Sequence, residues 1–228
     1  MLYYDWTMLL VLPGLLLGMW AQHKVNAAFR EYEKVPASNG QTAEEVARAL
    51  LNTSGCGNVN IQQTAGTLTD HYDPGSNTLR LSSGVYGSSS VAAIGVAAHE
   101  CGHAMQKREN YGPLKLRSLM VPVVNVGSRL YFPIFLLGMV FSWAPLVNVG
   151  ILCFALTLLF SLVTLPVEFN ASSRAMTALR EGGYLNGQQL DGAQAVLKAA
   201  AMTYVASAIS SLLQLVRLLV IARNNRRD

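Results

Sequence analysis

With 228 residues, 51% of them hydrophobic and only 13% charged, the chain falls well short of the ~25% charged residues of an ordinary soluble domain. Its 17 Lys and Arg against 13 Asp and Glu leave a net charge of +4, interspersed rather than striped, which excludes a nucleic-acid footprint and reads instead as membrane topology. Three cysteines (Cys56, Cys101, Cys153) with no C-x-x-C pair exclude a disulfide framework and suit a reducing compartment.

Residues 6–21 (WTMLLVLPGLLLGMWA) are the first apolar segment. At 1.5 Å per residue a helix of that length spans ~24 Å, with Tyr3, Tyr4, Trp6 and Trp20 as interfacial anchors. A signal peptide fits less well, because Asp5 and no Lys or Arg precede the segment and no A-x-A site follows. Pro13-Gly14 is expected to kink this helix. A charged helix is expected around residues 26–34, ended by the Pro36-Ala-Ser-Asn-Gly40 break. Thr42-Ala-Glu-Glu45 has the capping-box pattern and opens an amphipathic helix with Val46, Leu50 and Leu51 on its inner face. A Gly/Asn-rich turn at 55–58 leads into the strand-like NVNIQQT. LTDHYD, a DPGSN turn and TLRLS then read as a β-hairpin, and the serines at 88–90 offer a cap to the next helix.

That helix, VAAIGVAAHECGHAMQ, carries His99-Glu100-Cys101-Gly102-His103. Positions i and i+4 share one helix face, so two of the chain's four histidines converge where neutral imidazoles can hold Zn²⁺. Glu100, next to the first ligand, is suited to accept a proton from water and return it to a leaving group. Two satisfied histidines on an ordinary helix are the bland alternative. Cys101 falls on the opposite side of the helix, where packing is its expected role.

Past Lys107, Arg108, Lys115 and Arg117 there is no charged residue from Leu130 to Val167, a run long enough to cross a bilayer twice. Residues 119–143 and 146–165 read as two spans joined by Ala144-Pro145. Nine Lys and Arg lie between Ala21 and Arg117 and none lies in the turn, so the positive-inside rule puts the charged lobe in the cytoplasm. Arg129 reads either as a snorkelling side chain or as the partner of a carboxylate near the site. Residues 199–222 are long enough to span, or to lie along the bundle, and the sequence leaves both open.

A catalytic zinc needs a third protein ligand and an open position. No histidine follows the motif, and the suitably placed carboxylate is Glu168 in LPVEFNASSRAMTALREGG. Pro166 is expected to start a helix and Gly182-Gly183 to end it, placing Glu168 in the first turn. There it either binds the metal or merely complements the helix dipole. Glu181, or Asp70, Asp73 and His71 of the hairpin, are the fallback ligands. His71 is also the candidate donor to a developing oxyanion. A local hydrogen bond to Asp70 or Asp73 is the competing reading, with Tyr72 and Arg174 next in line.

HECGHAMQ, the helix hairpin, EFNASSRAM, VLKAAAMTYVA and the segment LTDHYDPGSNTLRLSSGVYGSSSVAAIGVAAHECGHAMQ together resemble the YugP-type bacterial membrane zinc metallopeptidases, over nearly the whole chain beyond residue 30. More distantly the layout is similar to the HtpX-type and CAAX-prenyl proteases, which carry E-x-x-A-D after the membrane hairpin. This chain has Glu168-Phe-Asn-Ala171-Ser172, so the orienting role of the missing Asp is expected to fall elsewhere, with Asn170 as candidate, or to be absent. The resemblance implies an intrinsic-membrane gluzincin of the bacterial cytoplasmic membrane, with its active site facing the cytoplasm.

The expected fold is mainly α and integral to the membrane, with gluzincin-like catalytic helices, a small cytoplasmic β-hairpin or sheet and three to four transmembrane helices. Its parts are an anchor (1–21), a cytoplasmic lobe (22–118), a transmembrane hairpin (119–167) and a third-ligand region with a C-terminal apolar helix (168–228). The expected activity is zinc-dependent endoproteolysis of membrane or unfolded proteins, with one Zn²⁺ per chain held by His99, His103 and Glu168 and with Glu100 as base. Its partners are then a membrane-associated peptide or protein substrate and the lipid bilayer. Alternatives are a zinc-stabilised non-catalytic scaffold, for which Glu100 has no use, and a transport component, for which the run from 130 to 167 offers few polar midplane positions.

Overall fold

The computed structural model describes residues 6–225; Tyr3, Tyr4, Asp5, Arg226 and Arg227 lie outside them. After a short 3-10 turn (Trp6–Leu10) come α1 (Leu12–Tyr32), α2 (Ala43–Thr53), β1 (Asn60–Thr64), β2 (His71–Asp73), β3 (Thr78–Ser82), α3 (Ser83–Tyr86), α4 (Val91–Arg108), α5 (Gly112–Val140), α6 (Ala144–Glu181) and α7 (Gly187–Asn225). The chain divides into two compact units.

The first unit comprises Gln22–Lys115 and Pro166–Met202. Its α2 begins with the expected capping box. Glu45 N–H donates to Thr42 Oγ1 and Thr42 N–H to Glu45 Oε2, satisfying two orphan donors reciprocally. Val46, Leu50 and Leu51 of that helix are buried in the core with Leu79, Leu81 and Ile94. The hairpin forms with His71 opposite Arg80, and β1 adds to it in parallel, with Ile61 opposite Leu79, giving the order β1-β3-β2. β3, the last strand before the motif helix, is therefore paired on both sides, and the free edges belong to β1 and β2. Ser90 caps α4 by accepting the Ala93 N–H.

α4 is buried on nearly every side, and its small residues explain how. A β-carbon on Gly95 would stand 3.2 Å from Ala193 Cβ of α7, and one on Gly102 would stand 2.5 Å from the Ala171 carbonyl oxygen of α6. Backbone thus approaches backbone where a side chain would hold it off.

The second unit comprises Leu116–Leu165, residues 203–225 and the described residues before Gln22. Phe135, Val147, Phe154, Leu218 and Ala222 form its buried cluster, while Leu119, Val126, Phe132, Val140, Phe141 and Leu152 remain exposed. Glycines again set the spacing: β-carbons on Gly138 and Gly150 would meet Val147 N and Phe135 N at 2.6 and 2.8 Å. Arg217 Nε donates to Thr7 Oγ1. Among the described residues, four helices are long and apolar enough to cross a membrane: Trp6–Tyr32, Gly112–Val140, Ala144–Glu181 and Gly187–Asn224. Residues 199–222, ambiguous in sequence, belong to the last of these.

Four local expectations are corrected. The charged segment 26–34 is no separate helix but the end of α1, because no breaker lies between Ala21 and Tyr32. Pro13 sits in the first turn of that helix, where its missing N–H costs no hydrogen bond, so it starts α1 rather than kinking it. Pro166 starts nothing: α6 runs unbroken from Ala144 to Glu181 with Pro166 inside it, as a helix packed among others tolerates. The turn between α5 and α6 falls at 141–143, and Pro145 occupies the first turn of α6.

Candidate metal centre

Four residues apart on α4, His99 and His103 bring their ring centroids to 4.8 Å at an interplanar angle of 87°. Glu168 reaches them from α6, across the contact that Gly102 opens. Its Oε2 lies 3.2 Å from His99 Nε2 and 3.6 Å from His103 Nε2. Tetrahedral zinc with ~2.0–2.1 Å bonds holds neighbouring ligand atoms ~3.3 Å apart. The two spacings straddle that value, and all three ligand atoms lie within 4.8 Å of one another. The donor set, two imidazoles and one carboxylate, is the chemistry of a zinc site with one position open. Glu168 is 3% exposed and lies deep inside α6, far from any helix start. A role in complementing a helix dipole therefore falls away.

Glu100 stands apart from these three. Its Oε2 accepts the Tyr72 backbone N–H at 2.8 Å, so the carboxylate lies against the outer edge of β2. At 8% exposure it is a carboxylate largely removed from bulk water. Cys101, on the other side of α4, is fully buried and directs its thiol toward the Ala47 carbonyl. Burial, with Glu100 nearby, pushes that thiol well above the usual range, as expected of a packing residue.

The hairpin candidates are engaged locally. His71 is exposed and its Nδ1 meets the Thr69 carbonyl at 2.8 Å, not Asp70 or Asp73, and the ring is not brought into the group of three. Asp70 accepts from Ser82 N–H and Oγ, and burial raises its carboxyl pKa despite those donors. Asp73 ties the 73–76 turn through Ser76 Oγ and Gly75 N–H. Tyr72 donates its hydroxyl to Asn77 Oδ1 at 2.6 Å, and burial pushes the phenol up to about 12. Arg174 is occupied by Glu109 at 2.7 Å and by Asn170 Oδ1. Glu181 is exposed at the end of α6. Arg129 is exposed and pairs with no carboxylate among the described residues.

Two residues that hold the histidines were missed in the sequence. Ser172 stands where the similar proteases carry Asp, and its Oγ lies 3.1 Å from His99 Nδ1. A hydroxyl thus meets the His99 nitrogen turned away from Glu168. Gln106, three residues after His103 and fully buried, meets His103 Nδ1 with its Oε1 at 3.0 Å. Its Nε2 donates to Val167 O and Asn170 Oδ1. Asn170, the residue expected to orient a histidine, thus bonds Gln106 and not a ring. The i+3 spacing from His103 was the available signal for Gln106.

Comparison with known proteins follows the same lines. A family described as "putative neutral zinc metallopeptidase" matches residues 7–223. The "Putative membrane protease YugP" of Bacillus subtilis (strain 168) is 45% identical over 219 residues, covering 96% of this chain and 97% of that protein. No solved structure matches the chain.

Proposed function

The chain belongs to this neutral zinc metallopeptidase family, and from that premise we propose that it is a membrane-embedded, zinc-dependent endopeptidase of the gluzincin type. It cleaves membrane or unfolded proteins at the cytoplasmic face of the bacterial cell membrane. One zinc per chain would be held by His99, His103 and Glu168. The observation that carries this reading is the convergence of those three residues while Glu100, one residue from the first ligand, stays outside them. A structural site prefers four closed ligands and has no use for a carboxylate so placed.

When bound, zinc supplies Lewis-acid stabilisation of the scissile carbonyl and makes water a competent nucleophile near neutral pH. The chain's own residues supply the rest. Glu100 takes the proton of the attacking water and returns it to the departing amide nitrogen, so both peptide products leave with balanced charge. The Tyr72 N–H steadies the base before and after that transfer. β2, an edge strand of the sheet, offers main-chain groups to an extended substrate, a mode of binding only weakly selective for sequence. His71 is the proposed oxyanion donor. Its Nδ1 meets Thr69 O, which leaves Nε2 as the ring atom for that role.

Proteolysis of an unfolded casein-type substrate by the detergent-purified chain tests the proposal. Cleavage is expected, lost on chelation and regained on adding zinc. Cleavage that survives complete metal removal, or no cleavage by a zinc-loaded protein, overturns it.

A further inference from the structure

We propose that Gln106 is a positioning residue that fixes which nitrogen of His103 faces the metal, and that Asn170, Arg174 and Glu109 act on the site only through Gln106. The inference rests on the metal reading above. A neutral imidazole has one N–H and one bare nitrogen, and only the bare one binds a metal. The hydrogen bond made by the other nitrogen decides which is which.

A glutamine beside a histidine is ambiguous by itself. If it offered its NH₂ to Nδ1, the ring would accept there and carry its proton on Nε2, the nitrogen turned toward Glu168, and the metal would lose that ligand. Here the amide has no such freedom. Both N–H groups of Gln106 are committed, to Val167 O at 2.8 Å and to Asn170 Oδ1 at 2.9 Å. Only Oε1 remains for His103 Nδ1. Turning the amide over would set its oxygen against two acceptor oxygens, in a place with 0% exposure and so no water to compensate. Buried polar groups left unpaired in this way keep their full desolvation cost.

The direction of the whole chain of bonds follows from its far end. Asn170 is another amide that could present either atom, but Arg174 Nε meets its Oδ1 at 2.7 Å. A guanidinium has donors and no acceptor, so that contact fixes Oδ1 as the acceptor without ambiguity. Arg174 is in turn held by Glu109 at 2.7 Å. The polarity therefore passes from Arg174 to Asn170, to Gln106 and to His103, leaving His103 Nε2 bare. His99 has no equivalent. Its Nδ1 meets the Ser172 hydroxyl, which donates or accepts with equal ease and imposes no direction.

Zinc affinity of the full chain in detergent, measured by competition with a chromogenic chelator, tests this without reference to turnover. Gln106→Leu fills the same space without hydrogen bonds and should weaken zinc by ~10–100-fold. Gln106→Glu keeps an acceptor for the His103 N–H but sets its second oxygen against Val167 O and Asn170 Oδ1, so it should weaken zinc less than Gln106→Leu does. Asn170→Leu releases only the lock on the amide and should fall between them. The double variant, Gln106→Leu with Asn170→Leu, should bind no more weakly than Gln106→Leu alone. Wild-type affinity in Gln106→Leu, equal losses in Gln106→Leu and Gln106→Glu, or additive losses in the double variant each overturn the inference. Failure of the metal reading looks different, because the wild-type chain then binds no zinc.

Discussion

Gly102 and Ala171 pack so closely that a β-carbon on the glycine would lie 2.5 Å from the alanine's carbonyl oxygen. The contact lies between the two histidines' helix and the glutamate's helix, within one turn of all three proposed ligands. It is therefore the spacer that sets how far Glu168 reaches. In Gly102→Ala, α6 backbone must give way, and overpacking of this kind costs about 1–3 kcal/mol. The variant should remain folded by circular dichroism, yet hold zinc more weakly and lose activity with it. Full zinc occupancy with normal turnover would show that the spacing is not what assembles the site.

His71 gives a kinetic prediction. Its Nδ1 meets Thr69 O, which leaves Nε2 as the ring atom for the proposed donor role. His71→Ala should lower kcat by ~10²-fold or more with little change in KM. A near-normal kcat would leave the ring as a support for the 69–71 bend alone.

The β2–β3 turn should respond to acid through Asp73. Ser76 Oγ and the Gly75 N–H hold its carboxyl at about 2, below the ordinary 3.8. A carboxyl lowered in the folded state stabilises the turn above its unfolded value, and that support is lost as pH falls through the folded one. Exchange protection of the Gly75 amide should therefore drop between about pH 4 and pH 2. Asp73→Asn should show no such step. An identical acid profile in both proteins would remove Asp73 from the account.

Orientation is open to direct labelling. Lys107 and Arg108 precede α5, Lys115 and Arg117 lie in its first turns, and the 141–143 turn has no basic residue, so the lobe should face the cytoplasm. A membrane-impermeant thiol reagent on intact cells should label Pro145→Cys and spare Asn58→Cys, in a background without the native cysteines. The reverse pattern would invert the topology.

What the sequence made legible follows from how local each signal is. His99 and His103 needed only the helix period, the Thr42–Glu45 box only a three-residue spacing, and the hairpin only its DPGSN turn. Glu168 was reachable because zinc chemistry demands a third ligand and few carboxylates remain. Its setting was misread, since Pro166 is a breaker in water but is accommodated inside α6. The parallel partner of β3 was hidden because β1 reaches it across a crossover that no short motif encodes. Ser172 was passed over because its position was read as a missing carboxylate rather than a present hydroxyl. Gln106 was passed over because its meaning depends on Val167, Asn170 and Arg174, which lie about sixty residues away in sequence and meet it only in the fold.

The most direct test of the account separates its two glutamates. Glu168 is assigned to the metal and Glu100 to the proton, so metal analysis of detergent-purified Glu168→Ala and Glu100→Gln should split them. Glu100→Gln should retain stoichiometric zinc while losing ~10²–10⁴-fold in turnover, the worth of a positioned base. Glu168→Ala should lose zinc and activity together. Stoichiometric zinc with normal cleavage in Glu168→Ala would contradict the assignment of the site.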